Sequence, residues 1–273
     1  MLIIGFFNVS KILLSCNVSA MENPMPAEPS LEQPYPRPLS GAAVERLPSA
    51  RIPSRAPLVG STVELVAEDT ALHAADLYAA GHESGDALHI WDYLPYGPWA
   101  SLDDYRATLR VQSANFETIF YAIRPLDGKS YEGQSSFLDI NPQMGVIEIG
   151  HIWFGPRLAR TRAATEALYL MIRHAMDDLG YRRMQWRCNS LNVKSRQAAR
   201  RLGFRFEGIS YDHMVFKGKN RDTAWYSILD DEWPEVRARI ETWLDESNFD
   251  ADGRARSSLC EMMSGRESGR GGE

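Results

Sequence analysis

The chain of 273 residues is long enough for one large or two small domains. Its 44% hydrophobic residues support a packed core, and its 24% charged fraction is ordinary. Thirty basic against 36 acidic residues leave a net charge of −6, which does not favour nucleic acid as a partner.

The first twenty residues, MLIIGFFNVSKILLSCNVSA, are apolar and end in a Val-Ser-Ala resembling a signal-peptidase site. No basic residue precedes the apolar run, and Asn8, Ser10 and Lys11 interrupt it. A secretory leader and a biological start at Met21 are the two alternatives. The segment is too short and too polar to span a membrane, and no later stretch is long enough. Residues 21–57 hold nine of the fifteen prolines and cannot sustain a helix or a sheet ladder. PYPRP at 34–38 is either a polyproline ligand or part of a flexible leader that binds nothing. Residues 1–57 are thus expected to be a disordered leader.

The folded unit is expected over 58–248. STVELV at 61–66 reads as a strand. A helix follows, with Asp69 as its N-cap and Gly81 as its stop. HIWDYLPYGPW at 89–99 is an aromatic loop. Ser101 caps a second helix to Ala114. ETIFYAIRP (117–125) and GQSSFLDI (133–140) form a hairpin, and VIEIGHIWF (146–154) is a further strand. GPRLARTRAATEAL then leads into a long helix, whose apolar stripe runs through Ala164, Ala167, Leu168, Met171, Ala175 and Leu179 to Gly180. RMQWRC (183–188) alternates as a strand. NVKSRQAARRLG forms a short helix between Asn192 and Gly203. Two strands follow, joined near KGKNRD, and then a helix over 232–246. Residues 249–273 read as a disordered tail.

The order implies an α/β (α+β) domain with a mixed, mostly antiparallel sheet of about seven strands, flanked by helices. The strand–helix–strand unit in the middle puts a parallel seam inside it. Such a seam, beside a helix N-terminus, is a natural ligand site.

Three features converge there. The helix start at Thr161–Ala164 offers free N–H groups, and Arg160 and Arg162 can add charge-assisted bonds to a phosphate. On the loop alone, a basic surface is the competing reading. Glu148 is a carboxylate in an apolar strand; burial would raise its pKa towards that of a general base, or it is structurally paired. His151 lies three residues on, and strand alternation puts it on the opposite face. Asn192 and Ser195 occupy a helical first turn. Cys16, Cys188 and Cys260 are an odd count without CxxC, which suits a reducing, cytoplasmic compartment. The six histidines have no ligand spacing, so no metal is expected. Cys188 lacks an evident base and is a poor nucleophile.

The blocks IEIGHIWFGP, ATEAL, NVKSRQAARRLGF and KGKNRDTAWYSIL resemble the GNAT N-acetyltransferase superfamily, in particular its ribosomal-protein N-acetyltransferase-like branch. The resemblance runs from about Val59 to Trp233. It implies acetyl-CoA as co-substrate, with Ile152, Trp153 and Phe154 binding the pantetheine arm through main-chain groups. It also implies that Arg160, Thr161, Arg162, Ala163 and Ala164 hold the pyrophosphate. Asn192 would lie beside the thiol. Glu148, eleven residues before Ala159, takes the position of the family's base. The family loop, Gln/Arg-x-x-Gly-x-Gly/Ala, falls on Ala159, Arg162 and Ala164, and only the last agrees. Arg162 is therefore expected to serve the phosphate through its backbone N–H, with its guanidinium pointing outward or clamping the cofactor. Ala199 stands where many relatives have the tyrosine acid, which leaves Ser195 or a water to protonate the thiolate. Trp91, Tyr93 and Tyr96 would wall the acceptor, or the rings only pack helices onto the sheet. The expected acceptor is a small-molecule amine, with a protein α-amine or lysine second, and the expected assembly is a monomer or homodimer. An idle acyl-CoA-binding module is the rival reading.

Overall fold

The computed structural model describes residues 32–37, 39, 41, 43–44, 47–85, 87–264 and 266. The readings of the first twenty residues lie outside these. Strands β1 (Leu58–Val59) and β2 (Val63–Ala67) precede helix α1 (Thr70–His82), a 3-10 helix (Ala87–Tyr93) and α2 (Leu102–Ser113). Next come β3 (Ile119–Pro125), β4 (Gly133–Asn141), β5 (Val146–Phe154), α3 (Arg162–Arg173) and a short π-helix (His174–Asp178). Then follow β6 (Arg183–Asn189), α4 (Val193–Arg201), β7 (Arg205–Phe216), β8 (Lys219–Leu229), α5 (Trp233–Leu244) and α6 (Leu259–Ser264). One sheet runs β1-β2-β3-β4-β5-β6-β8-β7, with every neighbouring pair antiparallel except β5–β6. The eighth strand is the two-residue β1, too short to leave an alternating pattern.

The α3 stripe explains the larger core. All six of its predicted residues are buried, against Ile147 and Ile149 of β5 and Val236 and Ile240 of α5. A second cluster lies on the other face of the sheet, where Leu77 of α1 and Tyr105 and Leu109 of α2 meet Ala122 and Trp153. Asp69 caps α1, accepting from the N–H groups of Ala71 and Leu72. Gly81 is not the helix stop. It lies inside α1, where a Cβ would come 2.5 Å from the Trp91 ring, so glycine is needed for close approach rather than for a turn.

Two terminal expectations change. The described part of 32–57 has no regular structure, yet it is tied down: Arg51 N–H donates to the Leu179 carbonyl at 2.9 Å, and Pro53 is buried. Beyond 248, the chain to Ser264 packs rather than trails. Leu259 and Met263 are buried in the larger core, and Trp243 donates to the Ser257 carbonyl at 2.9 Å. Three apolar residues in a polar stretch are too few to show a period. No described helix is long and apolar enough to cross a membrane.

Glu68, between β2 and α1, is buried with neither oxygen hydrogen-bonded. Burial holds its carboxyl well above the usual range, with Arg55 opposing. A raised carboxyl stabilises the fold fully only below its unfolded pKa, and that contribution is lost as pH rises. Glu68→Gln should therefore match the parent at pH 4. At pH 7 it should be more stable by about 1–2 kcal/mol, read as an increase of roughly 2–8 °C in Tm. Melting curves at the two pH values check this; an equal or lower Tm at pH 7 contradicts it.

Candidate active site

The parallel pairing of β5 and β6 covers only Val146↔Arg183, Ile147↔Met184 and Glu148↔Gln185. Beyond Glu148, β5 continues to Phe154 paired to β4 alone. A bulge accompanies this change. Gly150 faces Ser136, and Trp153 faces Gln134, so three steps on β5 match two on β4. His151 takes the extra step with φ +52°. A bulge bends and twists its strand, and here it coincides with the opening of a fork between β5 and β6. On the β6 side, Ile152, Trp153 and Phe154 present main-chain groups without a strand partner. The Trp153 indole is turned into the second core, 5.1 Å from the Trp91 ring.

Parallel strands end at the same edge. α3 follows β5 and α4 follows β6, so two helix N-termini, both favouring anions, meet at the carboxyl ends of these strands. In the connecting loop, Arg157 is used structurally, pairing with Glu132 at 2.7 Å and Glu83 at 2.9 Å. Arg160 is exposed, with φ +66°. The glycine-favouring conformation therefore falls on Arg160 and not on Arg162. Thr161 caps α3, accepting from Ala164 N–H at 3.1 Å. The N–H groups of Arg162 and Ala163, by position, have no acceptor inside the helix. The Arg162 guanidinium does not point outward. It donates to the Leu244 carbonyl at the end of α5 and lies 4.6 Å from the Phe249 ring centroid. That carbonyl is at the negative end of a helix dipole, which favours a cation.

Glu148 is 2% exposed. It lies between Ile147 and Ile149, which face α3, so its side chain is on the α1–α2 face. Arg187 Nε donates to Oε1 at 3.0 Å, and its Nη2 is 2.5 Å from Asp139. Burial pushes the Glu148 carboxyl up to about 8; Arg187 opposes the rise and Asp139 adds to it. A Cβ on Gly150 would lie 3.4 Å from Glu148 Oε1 and 2.9 Å from Leu138, so glycine leaves room beside the carboxylate. Arg187 was not singled out from sequence. It stands two residues past the register partner of Glu148, a relation fixed by pairing across the sheet.

The bulge also overturns the reading of His151. One extra residue restores it to the face of Glu148, where its ring stacks on Tyr96 (centroids 5.6 Å apart, planes 7° apart). Its Nδ1 and the Tyr96 hydroxyl are 3.0 Å apart. Burial pushes the imidazole down to about 4, and Arg187 pulls the same way, so it is neutral near pH 7.

On the other face, Asn192 Oδ1 caps α4 by accepting from Ser195 N–H at 3.0 Å. Ser195 Oγ accepts from Trp186 Nε1 at 3.0 Å, and its hydroxyl is in hydrogen-bonding contact with the Cys188 sulfur. Burial pushes the Cys188 thiol up to about 11, with Ser195 opposing; it stays a thiol at neutral pH. Ala199 is wholly buried. Trp91 belongs to the core and not to an acceptor wall: it is 1% exposed and donates to the Gly81 carbonyl at 3.0 Å. Tyr96 is half-buried, with Gln134 Nε2 donating to its hydroxyl at 3.0 Å. Tyr93 is exposed and donates to the Leu191 carbonyl at 3.2 Å. Among the described residues, no group of three or more His, Cys, Asp or Glu side chains could hold a metal.

The inward use of the Arg162 side chain yields a prediction. Arg162→Ala should lower Tm by about 2–6 °C while leaving acetyl-CoA affinity within about threefold, because only the guanidinium is lost. Thermal melts and calorimetric titration check both; a tenfold loss of affinity at unchanged Tm contradicts it.

The family described as "Acetyltransferase (GNAT) domain" matches residues 68–205, half of the chain. A GCN5-related N-acetyltransferase from Brucella melitensis is 38% identical, with a TM-score of 0.78 over 81% of this chain and 99% of its own. A GNAT-family protein from Chromobacterium violaceum ATCC 12472 is 39% identical, with a TM-score of 0.67 over 73% and 98%. YdaF of Bacillus subtilis (strain 168), provisionally named a ribosomal N-acetyltransferase, is 28% identical over 176 residues, 63% of this chain and 92% of its own. A fork in a mixed sheet, a buried glutamate at its vertex and two helix starts at its mouth agree with these matches: the chain belongs to the GNAT family of acetyl-CoA-dependent acetyltransferases.

Proposed function

We propose that the protein transfers acetyl from acetyl-CoA to the amine of a small molecule, with Glu148 as the general base. The observation that carries this is the position of Glu148 at the vertex of the fork, buried and bordered by the side-chain-free Gly150. Ile152–Phe154 would hold the pantetheine arm by main-chain bonds, and the Arg162 and Ala163 N–H groups, with Arg160 and the Thr161-capped turn ending at Ala164, would hold the pyrophosphate. Acetyl-CoA supplies an acyl carbon activated as a thioester. The amine reaches Glu148 largely protonated. Glu148, once ionised, takes the proton directly or through a water, and the nitrogen can then attack. The C–N bond forms as the C–S bond breaks. Ser195, whose oxygen already accepts from Trp186, or a water it holds, delivers a proton to the sulfur, and the proton that the acylated nitrogen sheds through water replaces it, so the amide and the free thiol leave as neutral products. Fixing both reactants at the fork supplies much of the acceleration.

The small-molecule reading is supported by what covers the acceptor side. Lys217, at the tip of the β7–β8 hairpin, donates to the carbonyls of Trp91 (2.8 Å) and Gly97 (2.9 Å). With the Tyr93–Leu191 bond, this ties the aromatic loop down at two points. The name of YdaF favours a second reading, a protein N-terminal amine as acceptor. Release of free CoA over a panel of small amines and N-terminal peptides separates the two. Binding of acetyl-CoA without turnover on any member points to the idle module.

Glu148→Gln should lower kcat/KM at pH 7 by about 10²–10⁴-fold, with acetyl-CoA affinity unchanged. Parent kcat/KM should rise with pH through an apparent pKa near 8, because the ionised carboxylate is the active form. The variant should lose this limb and keep only the rise due to the amine. Unchanged turnover up to pH 9 removes Glu148 as the base.

A further inference from the structure

Arg221 of β8 sits opposite Met214 of β7, in the hairpin that reaches the aromatic loop. Asn189 of β6 pairs with Thr223, and Arg187 with Trp225. Alternation therefore puts Arg221 on the face of Arg187 and Glu148. Its Nε is buried with no acceptor. Its Nη1 donates to the Met214 thioether at 3.1 Å, a weak acceptor, and its guanidinium carbon is 5.4 Å from the Phe216 ring centroid. Among the described residues no carboxylate forms an ion pair with it. The nearby carboxylates serve another cation: Glu148 and Asp139 both bind Arg187. Burial lowers the Arg221 pKa; Arg187 acts in the same direction, against Cys188 and Glu148. A partly buried guanidinium without an anion is costly to keep.

An amine approaches Glu148 as a cation, and an uncompensated guanidinium on that face repels it. An acceptor that brings its own anion removes the repulsion and leaves Glu148 for the ammonium. We infer that Arg221 is the anion-recognition residue of the acceptor site and that the acceptor is an aminocarboxylate, an amine with a carboxylate close to its nitrogen. This rests on the reading of Glu148 as base and of this face as the acceptor side. A planar carboxylate suits the guanidinium fork, which can bind it with two parallel hydrogen bonds.

The test compares matched pairs: each amino acid against its decarboxylated amine and its carboxamide, such as tyrosine, tyramine and tyrosinamide, with aminoalkyl phosphates as a separate arm. CoA release is measured for the parent, Arg221→Gln and Arg221→Lys. The expected result is at least a tenfold preference in kcat/KM for carboxylate members. Arg221→Gln should abolish it through KM, by weakening the carboxylate members and easing the repulsion of amines that lack a carboxylate, with the acetyl-CoA thermal shift intact. Arg221→Lys should keep part of it. The parent comparison needs no variant, so a folding failure does not rescue the assignment. Turnover of small amines regardless of carboxylate, or a preference for the phosphates alone, overturns the aminocarboxylate assignment and leaves the small-amine reading standing. Turnover confined to peptides, or none at all, overturns both.

Discussion

The end of the parallel pairing at Glu148↔Gln185 is the constraint on which the rest of the site depends. Had β5 and β6 stayed paired to their ends, the backbone edge of β5 would be consumed by the sheet. The bulge at His151 accompanies the splay by adding a residue against β4. The splay leaves hydrogen-bonding groups where a buried sheet would normally satisfy them. The starts of α3 and α4 lie at the same mouth because both helices follow strands that run the same way. Backbone donors and an open slot thus follow from one break in one ladder, and the two helix dipoles from the parallel run of its strands.

Electrostatics at the vertex depend on the same break. Glu148 is buried deeply enough that ionisation is disfavoured, and Arg187 only partly offsets this because it is shared with Asp139. The carboxylate is thereby held near neutral pH, where a base is most useful. His151, a few residues away on the same face, is held neutral by burial and occupied by Tyr96. Of the two titratable groups on this stretch of β5, burial raises the carboxyl and lowers the imidazole, which suits Glu148 rather than His151 to the proposed role of base.

Much of this was legible in sequence because the relevant signals are local. The bounds of β5 match the predicted segment, Asp69 and Asn192 cap their helices, and the α3 stripe is buried throughout. Glu148 stood out as a charge in an apolar run. The failures are non-local. Alternation assigned His151 to the wrong face because a bulge depends on how two strands register. Arg187 and Arg221 could not be joined to Glu148 without the β5–β6–β8 pairing. Gly81 has the composition of a helix stop, and only the Trp91 ring shows why it lies inside one. Trp91 reads equally as a binding or a packing aromatic until its burial is known. The short β1 and α6 carry too few residues for periodicity.

The most direct measurement is a crystal structure with acetyl-CoA or a non-reactive thioether analogue. The pantetheine should lie in the fork, bonded to the main chain of Ile152–Phe154, with the acyl carbon between Glu148 and Ser195. Glu148 should be within reach of an attacking amine, directly or through one water. A pantetheine that binds outside the fork, or an acyl group remote from Glu148, would contradict the account.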